Sequence, residues 1–344
     1  MEKYGERCEK SYCHQNAFTQ SPSQQSIPCC QIALSVTDLL RTHQWYQRVF
    51  GFQPGGEKTA VSSVEVARVQ GLPEVSLSAW WLMDSQERFQ LELLEYERPR
   101  MRLQSADWRP CDIGYTTLGL HVTDFDAALD RIARIGGRLL TAPLGSRGGR
   151  RVCLHDPEGV LLEVMEDEVR LPGAPARPHP EIQVAVRSIT LSVMDLDRAR
   201  KFWVDTLGLI EVQEITLHHK EHEALWGLKG AARKSILLWA GDFLIELVQY
   251  IDPEGKPRPA GYMICDQGLS HIALMTTVKQ DLEVVYGRAI QAGYRGNSEP
   301  WAWKNLGTGV YMNDDQGFTV ELTATEPGSE ELLGFHPAIQ PTST

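Results

Sequence analysis

Four glutamates stand singly inside apolar runs: Glu92 in Leu91-Glu92-Leu93, Glu163 in Leu162-Glu163-Val164, Glu246 in Ile245-Glu246-Leu247 and Glu321 in Val320-Glu321-Leu322. His271 sits in a similar run, Leu269-Ser270-His271-Ile272-Ala273-Leu274. Carboxylate and imidazole groups are ligands for a hard or borderline divalent ion, and a carboxylate beside such an ion can also serve as a base. The same alternation equally describes a strand with its polar side in water, and a lone histidine is also an ordinary hydrogen-bonded core residue, so both readings stay open. His218-His219-x-x-His222 looks like a metal motif but lies among Lys220, Glu221 and Glu223, and reads as a solvated loop. Cys8, Cys13, His14, Cys29 and Cys30 contain no C-x-x-C pair and surround a Gln/Ser-rich stretch. That stretch reads as a disordered leader over residues 1–26 rather than a zinc site.

The elements that position these groups form a repeat. Ile32-Ala33-Leu34-Ser35-Val36-Thr37-Asp38-Leu39 is answered by Ile189-Thr190-Leu191-Ser192-Val193-Met194-Asp195-Leu196, and Phe89–Tyr96 by Phe243–Tyr250, with Pro99 and Pro253 three residues beyond. Each half divides again, because Leu118–Phe125 repeats the opening and Leu269–Leu274 repeats its strand more loosely. In three openings an alternating strand ends at an aspartate (Asp38, Asp124, Asp195) that can cap the following helix. Helices over Trp45, Tyr46 and Val49 and over Phe202, Trp203 and Leu207 stop at Gly51 and Gly208, and their aromatic residues read as core. Asp156-Pro157-Glu158-Gly159 and Asp314-Asp315-Gln316-Gly317 are turns placed just before Glu163 and Glu321.

The expected organisation is α+β, with four tandem βαβββ modules paired into two cup-shaped half-barrels. Domain 1 covers 27–167 (modules 1 and 2) and domain 2 covers 185–325 (modules 3 and 4). A Pro-rich linker at 168–184 with Pro172, Pro175, Pro178 and Pro180 joins them, and a disordered tail covers 326–344. A net charge of -11 disfavours nucleic acid and anionic lipid, and no apolar run reaches the roughly 18 residues of a membrane span. The partner expected is a small molecule, with a homodimer possible. Seven cysteines at irregular spacing, with no secretory signal, fit a reducing cytoplasm.

A strand, Val-x-Asp-Leu, an aromatic-bearing helix, a glycine, further strands and a late glutamate resemble the module of the vicinal oxygen chelate superfamily, which includes glyoxalase I, methylmalonyl-CoA epimerase and the extradiol dioxygenases. The resemblance covers roughly residues 27–325 and implies a cup that binds a divalent metal and a substrate with adjacent oxygens. The ligands it implies fall at the start of each opening strand, Gln31, Thr117, Ser188 and His271, and at the four glutamates. Grouped by half, they give Gln31, Glu92, Thr117 and Glu163 in the first cup and Ser188, Glu246, His271 and Glu321 in the second. A hydroxyl is a poor ligand, so Thr117 and Ser188 count as substitutions; His121, on the same strand as Thr117, is a possible displaced site residue. The second set, with Glu246, His271 and Glu321, is the favoured metal site, and Gln31, Glu92 and Glu163 form the second candidate. The ion would be Zn, Ni, Mn, Co or Fe.

The resemblance implies a metal-dependent lyase or isomerase on a hydroxy-carbonyl type substrate, with Glu321 as general base. An extradiol-type ring-cleaving dioxygenase with altered iron ligation is one alternative. The other is a non-catalytic binding protein whose cup is lined by Trp80, Trp81, Trp239, Trp301 and Trp303.

Overall fold

A computed structural model of the chain describes residues 27–170, 178–276 and 278–336. Module 1 contains β1 (Cys29–Ser35), α1 (Leu39–Phe50), β2 (Gln53–Val61), α2 (Val64–Gln70), β3 (Ser76–Met83) and β4 (Gln90–Arg98). Module 2 contains β5 (Gly114–Val122), α3 (Phe125–Arg134), β6 (Arg151–His155) and β7 (Leu161–Met165). Module 3 contains β8 (Val184–Ser192), α4 (Leu196–Arg200) running into a π-helical turn at Lys201–Thr206, β9 (Ile210–Val212), a 3-10 turn at Lys220–Trp226, β10 (Ala232–Trp239) and β11 (Leu244–Asp252). Module 4 contains β12 (Gly268–Met275), α5 (Lys279–Gln291), β13 (Arg295–Gly296), β14 (Trp301–Trp303), β15 (Gly307–Asn313) and β16 (Thr319–Thr325).

Local chemistry sets the module ends. Asp38, Asp124 and Asp195 each accept the backbone N–H three residues on, closing the first turn of α1, α3 and α4, whereas Val278 precedes α5 and offers no side-chain cap. Gly51 closes α1 at φ 82°, in the left-handed region that costs glycine nothing. In the turns before β7 and β16, Asp156 Oδ1 accepts from the amides of Glu158 and Val160, and Asp314 Oδ1 from those of Gln316 and Phe318.

The modules do not pair as the two sequence halves. One sheet runs β13-β15-β16-β12-β1-β4-β3-β2, with β14 on β15, and so joins module 1 to module 4; the other runs β6-β7-β5-β8-β11-β10-β9 and joins module 2 to module 3. The seams are antiparallel pairs of opening strands, β1 with β12 and β5 with β8. All four opening strands share one apolar pattern, so the strands themselves do not select a partner. Residues 99–113 carry the chain from the first sheet to the second, and 253–267 carry it back.

The helix-bearing faces of both sheets bury Tyr46, Phe50, Phe202, Trp203 and Phe318 in one continuous core with Ile32, Leu34, Leu91, Leu93, Ile272, Leu274, Val320 and Leu322. The opposite faces form the two cups. Parts of the linker and tail expected to stand free are packed instead. Glu168 pairs with the buried Arg187, Ile182 is buried, and Phe335 and Leu333 pack on Cys30, Ala273 and Met275. The leader 1–26 with Cys8, Cys13 and His14, the linker centre with Pro172 and Pro175, and residues 337–344 lie outside the described residues. The five described cysteines are all buried and unbridged.

Candidate functional site

Strand periodicity puts the chemistry on the cup side. With Ile32, Leu34, Leu91, Leu93, Ile272, Leu274, Val320 and Leu322 committed to the core, their alternates Gln31, Glu92, His271 and Glu321 face the first cup. Register then brings the four together. Ala33 lies opposite both Glu92 on β4 and His271 on β12, and Ala273 lies opposite both Gln31 on β1 and Glu321 on β16. The four polar side chains therefore stand around two alanines, whose methyl groups leave the centre clear. Gln31 Nε2 donates to Glu92 Oε2 at 2.9 Å, and His271 Nε2 lies 4.0 Å from Glu92 Oε2 and 3.6 Å from Glu321 Oε2.

The expected grouping by halves is corrected here. Glu246 belongs to the other cup, Glu163 does too, and Gln31 and Glu92 join His271 and Glu321. The physical reason is the β1–β12 seam, which a split into halves cannot produce. A signal is present in the sequence: this grouping collects the amide, the imidazole and two carboxylates in one cup and leaves both hydroxyls, Thr117 and Ser188, in the other.

The donors fit a divalent ion by type, and His271 supplies a specific observation. Its Nδ1 faces Ser270 Oγ at 3.2 Å, while Nε2, turned toward the two carboxylates, is buried with no hydrogen-bond partner. Such an orphaned ring nitrogen is what a ligand position looks like when its second nitrogen is already held. Among the described residues no group of three or more His, Cys, Asp or Glu side chains is placed to hold a metal ion as it stands. Burial and the charge of Glu321 push Glu92 up to about 8, against a small lowering by the Trp81 indole, whose Nε1 donates to Glu92 Oε1 at 3.3 Å. No hydrogen bond ties the Glu321 carboxylate among the described residues. The cup is roofed by α2, whose Ala67 and Val69 pack with Ala33, Leu94, Tyr96 and Tyr311, and Tyr96 donates to Gln70 Oε1 at 3.2 Å. Gly334 lies against Trp81 from the tail.

The second cup has the same frame but different contents. Glu163 and Glu246 are both buried at the positions equivalent to Glu321 and Glu92, and Ser188 and Thr117 stand where Gln31 and His271 stand in the first. His218 fills the space between: its Nε2 lies 3.2 Å from Glu163 Oε2 and its Nδ1 2.5 Å from Glu246 Oε2. Arg151 pairs with Glu163 at 3.0 Å, Arg233 pairs with Glu246 at 3.1 Å and with Glu223, and Trp226 Nε1 donates to Glu163 Oε2 at 3.0 Å. The solvated-loop reading of the histidine cluster is thus overturned for His218, which is buried, although its neighbours Lys220 and Glu221 are exposed. Burial disfavours charge on His218, but Glu163 and Glu246 outweigh it and raise it to about 9. Burial would raise Glu163, yet His218 and Arg151 hold it down at about 2, and Glu246 is lowered in the same way by His218 and Arg233.

Of the aromatic residues expected to line a cup, Trp81 and Trp301 border the first and Trp239 the second. Trp80 faces the other way and stacks on His43 at 3.6 Å, and Trp303 packs on Gly309 at the sheet edge. His121 is buried on β5 and pairs in register with Ala185.

Two family models, both described as the glyoxalase/bleomycin resistance protein/dioxygenase superfamily, match in tandem, one over residues 30–154 and the other over 185–322. No curated protein sequence matches. Among solved structures, glyoxalase I from Zea mays is 17% identical with a TM-score of 0.58, covering 89% of this chain and 94% of its own. A putative dioxygenase from Bacillus subtilis is 13% identical with a TM-score of 0.61, covering 93% of each chain. At such identity the likeness is one of fold.

Proposed function

Because the chain belongs to the glyoxalase/bleomycin resistance protein/dioxygenase superfamily, we propose that the cup shared by modules 1 and 4 is a metal-dependent lyase or isomerase site for a small hydroxy-carbonyl type substrate. The observation that carries this reading is the convergence of Gln31, Glu92, His271 and Glu321 around Ala33 and Ala273. Gln31, Glu92, His271 and Glu321 would hold the ion, which when bound supplies positive charge to a substrate oxygen.

The residues then divide the work. Gln31 and Trp81 fix Glu92 through hydrogen bonds at 2.9 and 3.3 Å, so Glu92 is the positioned carboxylate. Among the described residues Glu321 makes no such hydrogen bond, which suits it to leave the ion for the substrate, take a proton from the carbon beside a substrate carbonyl and return it to a neighbouring atom. His271 is oriented by Ser270. Helix α2, together with Tyr96 and Tyr311, shields the site from water, which strengthens every charge interaction inside. One histidine with two carboxylates and an amide suits proton transfer better than ring cleavage, since non-haem iron oxygenases use two histidines and one carboxylate.

The test is proton exchange. Protein loaded with Zn, Ni, Mn or Co is incubated in heavy water with a panel of 2-hydroxy ketones and aldehydes, and deuterium at the carbon next to the carbonyl is read by NMR. Exchange that disappears in Glu321→Gln supports the reading. Activity confined to iron with oxygen uptake favours ring cleavage instead, and protein that takes up none of these metals leaves a binding cup.

A further inference from the structure

A cavity of about 320 Å³ lies outside both cups, between the connectors 99–113 and 253–267. This is within the lower range of small-molecule sites, roughly 300 to 1,000 Å³. The connectors are repeats of one another at an offset of 154: Pro99 answers Pro253, Cys111-Asp112-x-Gly114 answers Cys265-Asp266-x-Gly268, and Arg102 answers Lys256. They are also cross-braced. Asp112 Oδ1 accepts from the Lys256 amide at 2.9 Å and Asp266 Oδ1 from the Arg102 amide at 3.1 Å, while their other oxygens accept from Arg109 and Met263. The walls are thus held on both sides, and these two carboxylates are committed to those amides and, for Asp112, also to the Arg109 guanidinium at 3.0 Å.

What remains turned to the cavity is basic and aromatic. Among the described residues the Arg102 guanidinium donates only to the carbonyls of Ala260 and Gly261, at 3.1 and 3.3 Å. Arg258 donates to the Gly317 carbonyl and lies over the rings of Tyr262 at 4.3 Å and Phe318 at 4.7 Å. Among the described residues neither guanidinium has a carboxylate within ion-pair distance. Lys256 is paired with Asp107 at the exposed rim. Tyr115, Tyr262 and Leu269 supply apolar surface.

We propose that this inter-connector cavity binds a small flat acid, a single ring bearing a carboxylate or comparable anion, with Arg102 and Arg258 on the anion and the ring against Tyr115 and Tyr262. Two guanidiniums with vacant donors match a planar anion. The floor strands continue into the first cup: Leu269 lies two residues before His271, and the Tyr115 hydroxyl donates to the Thr319 carbonyl at 2.7 Å, two residues before Glu321. The proposal is independent of whether that cup holds an ion.

The test uses 4-fluorobenzoate and its neutral counterpart 4-fluorobenzamide, followed by fluorine NMR on the full chain. The benzoate is expected to bind with a Kd of about 1 mM or tighter, and the benzamide at least about tenfold more weakly. Arg102→Gln and Arg258→Gln should each weaken benzoate binding about tenfold or more, and Glu321→Gln should leave it unchanged. Should Arg258→Gln lose its fold by circular dichroism, the exposed Arg102 carries the comparison alone. Equal binding of acid and amide, indifference to the arginine substitutions, sensitivity to Glu321→Gln, or no binding at all would overturn the proposal.

Discussion

Replacing His218 by Gln keeps a hydrogen-bonding side chain of similar reach but removes the charge between Glu163 and Glu246. The folded protein holds this imidazole at about 9 against an ordinary 6.5, a difference that corresponds to about 3 kcal/mol of stability for a fully buried group. Breaking a buried ion pair by removing one partner costs a similar 3 to 5 kcal/mol, here toward the lower end because Arg151 and Arg233 remain. The sign follows from the direction of the shift. A histidine raised on folding contributes in full below its unfolded value of about 6.5, and that contribution is lost as pH rises through about 9. Glu163, held at about 2 from 4.5, contributes above 4.5 and loses its share as pH falls toward 2. The parent should therefore be most stable near pH 4.5 to 6.5 so far as this cluster is concerned, and decline toward pH 9. Thermal unfolding measured every half unit from about pH 5 to 9.5 should put the variant at least about 5 °C below the parent at pH 6, with the gap closing by pH 9. Two curves that run parallel across this window would refute the role of the His218 charge.

The first cup should respond differently. His271→Ala is expected to lower bound metal while leaving the fold intact, whereas Thr117→Ala and Ser188→Ala should not change metal content, as read by elemental analysis of dialysed protein. Glu321→Gln should retain metal and lose roughly a hundredfold or more in rate, the scale of a positioned base, while Glu163→Gln should affect thermal stability instead; the reverse outcome in a turnover assay would move the working site to the other cup. Gln90→Leu should weaken metal binding about tenfold in a competition titration, because Gln90 Nε2 donates to Gln31 Oε1 at 2.7 Å and so sets the orientation of that amide. A protease site inserted at residues 172–176 should yield two fragments that still elute together on gel filtration, because β1 pairs with β12 and β5 with β8; separation into two stable halves would contradict the strand order.

Features decided within one module are readable from the sequence. The aspartate caps need only a side chain and an amide three residues away, and the inward glutamates follow from strand alternation with the core on the other side. Module pairing is not readable in the same way, because Ile32–Leu39 and Ile189–Leu196 carry the same apolar pattern and would accept either partner. The burial of His218 escapes sequence reasoning for a related reason. Its charged neighbours indicate solvent, and nothing local indicates that the stretch before Lys220 dips between two carboxylates contributed by β7 and β11. In the tail, Phe335 finds its apolar contacts on Cys30, Ala273 and Met275, partners distant in sequence.

The two cups form an internal comparison in which the backbone frame is held constant and the charge is varied. Both carry a pair of buried glutamates at equivalent register positions. In the second, a histidine and two arginines neutralise them, and Glu163 stays ionised down to about 2. In the first, no lysine or arginine reaches either carboxylate among the described residues, and Glu92 is driven up to about 8 by burial and by Glu321. A buried glutamate pair with no cation of the protein's own is costly to keep, either as two charges or with Glu92 held as the neutral acid below about 8, and an apolar core could often replace it without loss. The pair's presence beside an orphaned imidazole nitrogen and an amide is accounted for if a positive charge is supplied from outside the chain. The second cup, where the chain supplies that charge itself, has no such need; Thr117 and Ser188 there can be hydroxyls, and the enclosed His218 leaves no room for a substrate between the glutamates.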